Sequence, residues 1–196
     1  MDKFKIEEID KHKIRHLPQI TFNGEIVVVS NKADEEEAVE HLSACDVIGF
    51  DTETKPSFKK GRSNQNKVAL LQLSSDDKAF LFHMNIMPLP EGIIQLLSSE
   101  TPLKAGAAVH DDIKALQAMY NFQAGGFVDI QNMSEEAGLK VKSLRKLTAM
   151  LFHMRLSKSQ RLTNWESKRL TKPQIIYAAT DAWISLKIYN ALKSVL

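Results

Sequence analysis

Val47-Ile48-Gly49-Phe50-Asp51-Thr52-Glu53 is a short apolar run that ends in two carboxylates one residue apart. β-Branched and aromatic residues without helical spacing read as a buried strand. Side chains alternate across a strand, so Asp51 and Glu53 point one way and Thr52 the other. Two acids on one face repel each other and lose hydration unless a cation or a bound proton neutralises them. A metal site would resolve this. A strand end with two solvated acids is the competing reading, and the rest of the chain must decide.

The chain has 196 residues, 43% of them hydrophobic, with no Pro/Gly/Ser-rich linker and no repeat. That length suits one core and predicts a single domain over 1–196. The segment from Met1 to His16 is heavily charged, and no run reaches signal-peptide or membrane-spanning character. A soluble, cytoplasmic protein without a membrane association is expected. The single cysteine, Cys45, excludes an internal disulfide and a Cys-rich zinc site.

The formal net charge of +2 conceals an uneven distribution. From Lys140 to Lys172 there are ten basic residues against one acid, Glu166, whereas Asp34-Glu35-Glu36-Glu37 is the densest cluster of an acidic first 45 residues. A second basic run comprises Lys55, Lys59, Lys60, Arg62 and Lys67. Clustered cations suit a polyanion, because each Lys or Arg near a phosphate releases counterions. Solvated helix and loop surface is the commoner origin of such runs.

Taken in order, residues 3–15 suit a short amphipathic helix and 25–30 a strand. Asp34 with Glu37 suggests a capping box that opens a helix through about Ala44. After the Asp51 strand, 68–74 and 78–83 read as two more strands joined by a turn at Asp76-Asp77, giving an antiparallel meander. A helix over 90–99, a strand over 103–108 and a helix over 110–120 follow. In the last of these, Val109, Ile113, Leu116 and Tyr120 form an apolar stripe. At about 100° per residue Asp112 lies on its flank and Asp111 nearly opposite. Phe127-Val128-Asp129 suggests a short final strand, with Asp129 a possible ligand or a cap. Thr171 with Gln174 forms a second capping box opening the last helix, and Pro173 suits its first turn. There Tyr177, Asp181, Ile184 and Ile188 share one stripe, so Asp181 sits among apolar side chains with Tyr177 one turn before it.

Asp51, Glu53, Asp112 and Asp181 thus have separate reasons to point inward. Oxygen ligands without His or Cys favour Mg²⁺ or Mn²⁺ over zinc, and four carboxylates suit a pair of such ions.

Asp51-x-Glu53, His110-Asp111-Asp112-Ile113-Lys114-Ala115-Leu116 and Tyr177-Ala-Ala-Thr-Asp181-Ala together resemble the DEDD superfamily of 3′–5′ exonucleases. The resemblance is to the tyrosine-bearing subgroup, and to the Werner-type exonuclease domain in particular, over about 47–192. Lys67-Val-Ala-Leu-Leu-Gln-Leu and Asn164-Trp165 carry it further. The histidine-bearing subgroup has its histidine where this chain has Ile176. Three motifs in order are far more specific than any one of them.

The resemblance implies an α/β, ribonuclease H-like fold: a mixed β-sheet, antiparallel meander plus parallel strands, flanked by helices. It implies two divalent metal ions, Mg²⁺ or Mn²⁺, with Asp51 bridging, Glu53 and Asp181 completing the tighter site and Asp112 holding the second. Tyr177 would position the attacking water. With an ordinary pKa near 10 it is a poor base at neutral pH, so activation of water is assigned to the metal. The expected reaction is release of nucleoside 5′-monophosphates from a 3′ end, on DNA ahead of RNA, with no obligate protein partner evident. Lys59, Lys60, Lys158 and Arg161 are candidate backbone contacts. Trp165 is a candidate base-stacking residue or a core residue. The N-terminal extension, about 1–20, receives no function.

Overall fold

The computed structural model describes residues 11–56, 67–139 and 141–196. In chain order its elements are α1 (Lys11–Ile14), β1 (Glu25–Val29), α2 (Lys32–Ser43), β2 (Val47–Thr54), β3 (Val68–Ser74), β4 (Lys78–His83), α3 (Glu91–Ser98) and β5 (Leu103–Gly106). They continue with α4 (Val109–Gln117), β6 (Phe127–Asp129), α5 (Ile130–Glu136), α6 (Leu144–Phe152) and α7 (Lys172–Lys193). The described strands form one mixed sheet in the order β1-β4-β3-β2-β5-β6. As the sequence predicts, β2, β3 and β4 are an antiparallel meander. The parallel partners are β1 against β4, β5 against β2 and β6 against β5.

Alternation along β2 sorts its side chains between two cores. Ile48 and Phe50 enter the cluster that includes Leu42, Ile93 and Leu116, so α2, α3 and α4 cover that face. Gly49, on the opposite face, lies under α7, where an added Cβ would stand 2.0 Å from the Ala182 carbonyl oxygen. Only a residue without a Cβ lets the helix backbone come this close. Ile184, Ile188 and Leu192 of α7 pack with Ile130, Leu147 and Ala105 on the same side.

The cap of α7 matches its reading: Thr171 accepts from the Gln174 N–H and the Gln174 side chain returns to the Thr171 N–H. The cap of α2 does not. Its N-cap is Asn31, which accepts from the Asp34 N–H, while Asp34 accepts from the Ser30 N–H and sits three residues inside. The helix predicted over 3–15 is seen as Lys11–Ile14, its earlier part lying outside the described residues. Residues 17–22 run along the start of α7. Arg155 N–H donates to Pro18 O at 2.9 Å, Ile20 N–H to Arg155 O at 3.1 Å, and Phe22 N–H to Thr180 Oγ1 at 3.1 Å. Among the described residues no helix is long and apolar enough to cross a membrane.

Candidate active site

Asp51 and Glu53 stand on one face at the C-terminal end of β2, next to a register shift between Glu53 and Thr54. Irregularities of this kind re-aim side chains at strand ends. From α7, Asp181 descends on the same face because Gly49 admits the neighbouring Ala182 backbone. One carboxylate oxygen each from Asp51, Glu53 and Asp181 lies within 4.8 Å of the other two.

Asp112 arrives from the other face of the sheet. Its helix, α4, packs against the Phe50 side, and Asp112 Oδ1 accepts a hydrogen bond from the Thr52 hydroxyl. Asp111 is exposed and Asp112 half-buried, as the helical wheel predicts. The α4 start is held from the end of β6. Ala108 takes a left-handed conformation with φ 56°, and Asp129 accepts from its N–H at 3.1 Å and from the Gln131 N–H at 2.9 Å. Asp129 is therefore a cap that joins two helix starts.

Burial raises the pKa of every acid in the cluster, and the neighbouring acids add to the rise at Asp51 and Glu53. Asp51 is pushed well above the usual carboxylate range by burial, then by Asp181, Glu53 and Asp112. Glu53 reaches about 8, through burial and then Asp181 and Asp112, with Arg161 acting in the opposite direction. Asp181 reaches about 7 through burial, against a hydrogen bond from Tyr177 that favours its charged form. Asp112 is raised by burial, partly offset by Thr52. The Tyr177 hydroxyl, which donates to Asp181, is held above its ordinary value by burial and then by the Asp181 and Glu53 charges. Clustered hard oxygen donors with raised pKa values are what a divalent cation relieves, since it replaces the protons with two positive charges. The donor set fits such an ion.

Of the candidate nucleic-acid contacts, Lys59 and Lys60 lie outside the described residues. Lys158 and Arg161 are exposed, and with Tyr177 and Asp181 they line a cavity of about 140 Å³. Trp165 is fully buried, packed with Leu70, Leu81 and Ala178, its ring 6.0 Å from that of Tyr177. It offers no face to a base. Its place is beneath Tyr177, supporting it.

Three residues near the site escaped the sequence reading. Thr52 was legible only as the residue pointing away from the acids. Arg145 was one cation in a basic run, yet it lines the same 140 Å³ cavity. Gln72, paired across the ladder with Asp51, is fully buried, and neither amide atom has a partner among the described residues.

A mixed sheet that carries Asp-x-Glu at the end of its central strand, with an acid from a helix on either face, defines a ribonuclease H-like exonuclease domain. The family model described as 3′–5′ exonuclease matches residues 26–196, and the chain belongs to that family. It is 34% identical over 188 residues to the bifunctional 3′–5′ exonuclease/ATP-dependent helicase WRN of Mus musculus, covering 90% of this chain and 13% of that protein. The exonuclease domain of Nibbler from Aedes aegypti superposes with a TM-score of 0.78 at 23% identity, over 90% of this chain and 92% of that one. Escherichia coli RNase D, an exoribonuclease involved in structured RNA processing, superposes with a TM-score of 0.76 at 21% identity, over 88% and 45%. At these identities the two structures establish the shared fold.

Proposed function

We infer that this 3′–5′ exonuclease acts on DNA, hydrolysing the 3′-terminal phosphodiester to release nucleoside 5′-monophosphates one at a time. The observation that carries the reading is the convergence of Asp51, Glu53 and Asp181 beside the Tyr177 hydroxyl. Asp51, Glu53 and Asp181 would hold one divalent ion, and Asp51 with Asp112 a second, Mg²⁺ or Mn²⁺ by the hardness of the ligands. When bound, the ions supply the positive charge that polarises the phosphodiester and eases deprotonation of water.

The remaining roles belong to the chain itself. Tyr177 stays protonated through the physiological range, so its hydroxyl serves as a hydrogen-bonding orienter of the attacking water, not as a base. Its donation to Asp181 fixes the hydroxyl at the acid cluster, and Trp165 beneath it fixes the ring. Lys158 and Arg161 present positive charge to the strand's phosphates, and Lys59 and Lys60 are assigned the same role.

The preference for DNA rests on the resemblance of the three acid motifs to the Werner-type exonuclease domain. RNA is the second reading, because RNase D, which shares this fold, is an exoribonuclease. A chain whose single cysteine, Cys45, forms no internal disulfide is compatible with a cytoplasmic site of action.

The test is a paired degradation assay on 5′-labelled single-stranded DNA, DNA duplexes with recessed 3′ ends, and RNA of matching sequence. Each is run with Mg²⁺, Mn²⁺ or EDTA, beside Asp51→Ala. The expected result is a ladder shortening from the 3′ end that needs metal and Asp51 and is faster on DNA. Faster loss of RNA would replace the DNA assignment. No product from any substrate by a folded, metal-binding protein would leave a non-catalytic nucleic-acid-binding module in its place.

A further inference from the structure

The 140 Å³ cavity beside the acid cluster has a composition that the cleavage chemistry alone does not explain. Arg145 enters it from the first turn of α6, and Lys158 and Arg161 enter it from the loop between α6 and α7. Ser143 and Ser157 add hydroxyls, and Asp181 is the one acid among its described lining residues. The wall shared with the catalytic residues is Tyr177 and Asp181. Arg145 Nε is buried and has no hydrogen-bond partner among the described residues. A buried guanidinium donor left unpaired is costly, more so than a neutral one, and an anion in the cavity would satisfy it. The volume is well under the roughly 300 Å³ at which pockets begin to take drug-sized ligands, and it admits a phosphate with ordered water. Two guanidinium groups from separate chain segments also suit phosphate better than a carboxylate-sized point contact, because each can donate a fork of two bonds.

We propose that this cavity binds a phosphate adjacent to the scissile one, with Arg145 as its anchoring cation and Arg161 and Lys158 closing around it. The proposal rests on the exonuclease reading, since it places the pocket one nucleotide from the bond that is cut. The shared chemistry is a phosphate group, which has two possible sources. One is the phosphodiester on the 5′ side of the scissile linkage. The other is a phosphate on the terminal 3′ oxygen.

Equilibrium binding in Mg²⁺ separates these, using wild type, Arg145→Gln and Arg145→Lys. In the first arm, a 3′-hydroxyl oligonucleotide with stable phosphorothioate linkages is compared with the same strand carrying one neutral methylphosphonate at the penultimate linkage. In the second, a nucleoside 3′,5′-bisphosphate is compared with the nucleoside 5′-monophosphate. The expected result is that removing the relevant phosphate weakens wild-type binding roughly ten- to hundredfold, that Arg145→Gln abolishes this difference, and that Arg145→Lys keeps part of it. Coupling in the first arm assigns the upstream phosphodiester, and coupling in the second assigns the 3′-phosphate. Equal phosphate discrimination by wild type and Arg145→Gln in both arms overturns the proposal. Should Arg145→Gln fail to fold, the same cycle is run on exposed Arg161→Gln and judged by the same coupling. Loss of the metal-dependent DNA ladder in wild type would instead overturn the exonuclease reading, an outcome these binding cycles do not produce.

Discussion

The Thr52 hydroxyl donates to the Asp112 carboxylate, tying the residue between Asp51 and Glu53 to a helix on the opposite face of the sheet. β2 thus organises both halves of the acid cluster, its odd positions directly and its even position through Asp112. Thr52→Val removes the donor, keeps the β-branched shape and leaves Asp112 free to turn. Outer hydrogen bonds to metal ligands are typically worth ten- to hundredfold in affinity or activity. Turnover at subsaturating Mg²⁺ is expected to fall by roughly that factor with the fold intact, and Thr52→Ser to recover most of it. Wild-type turnover in the valine variant, measured across a Mg²⁺ titration, would show that Asp112 needs no such tether.

Stability of the metal-free protein is expected to depend on pH in the direction set by the raised acids. Glu53 at about 8 and Asp181 at about 7 stand above their ordinary 4.5 and 3.8. The folded state therefore keeps protons that the unfolded chain has released. Their contribution is fully present below about pH 4 and is lost as pH rises through 7 to 8, at about 1.4 kcal/mol per pH unit for each proton held. A melting temperature in EDTA that falls from pH 5 to pH 8 is the expected observation. Mg²⁺ should raise it more at pH 8 than at pH 6, where the ion must first displace protons. Asp181→Asn should flatten the EDTA profile, melt higher than wild type at pH 8 and lose hydrolysis. A metal-free profile that rises over this window would contradict the electrostatic account of the cluster.

Much of this arrangement is legible in the chain alone, for reasons that are local. The β2 run and the Thr171 cap rest on patterns within a dozen residues, the meander on three strands consecutive in the chain, and all three are as read. What was missed depends on which elements meet. That β1 adds in parallel outside β4 is a tertiary choice that no alternation records. The helical wheel gave Asp112 an inward flank, yet it could not say that α4 and α7 lie on opposite faces. For that reason Thr52 reads only as the residue that faces away from the two acids, although it is the one that Asp112 meets. At α2 two overlapping cap patterns compete, Asn31 to Asp34 and Asp34 to Glu37, and the earlier one captures the helix start. Trp165 reads as either stacking or core until Leu70, Leu81 and Ala178 are seen around it.

Tyr177→Phe removes only the hydroxyl, leaving the ring against Trp165. Metal affinity is expected to stay within a few-fold of wild type, because Asp51, Glu53 and Asp181 are untouched, while single-turnover cleavage slows by roughly ten- to hundredfold. Losing the donated hydrogen bond also raises the Asp181 pKa further, since that bond favours its ionised form. The acidic limb of the pH–rate profile should therefore move to higher pH. A slower reaction with an unmoved limb would separate the tyrosine's effect on water from its effect on Asp181, and an unchanged single-turnover rate would remove Tyr177 from the chemistry.

Gly49 is where packing and chemistry share one atom's worth of space. A Cβ there would lie 2.0 Å from the Ala182 carbonyl oxygen and 2.7 Å from its carbon, both backbone atoms of α7 that no rotamer change can move aside. Gly49→Ala must therefore push the helix off β2, at an overpacking cost of about 1–3 kcal/mol. The displaced turn carries Asp181, so the carboxylate group should open. Ile48→Val, one residue earlier on the other face, is the control: it trims a fully buried side chain for about 0.5–1.5 kcal/mol and leaves α7 in place. Thermal melts of both variants should fall comparably, but only Gly49→Ala should lose Mn²⁺ affinity by calorimetry. Equal metal affinity in the two variants would mean that Asp181 reaches its place without the close approach of helix to strand.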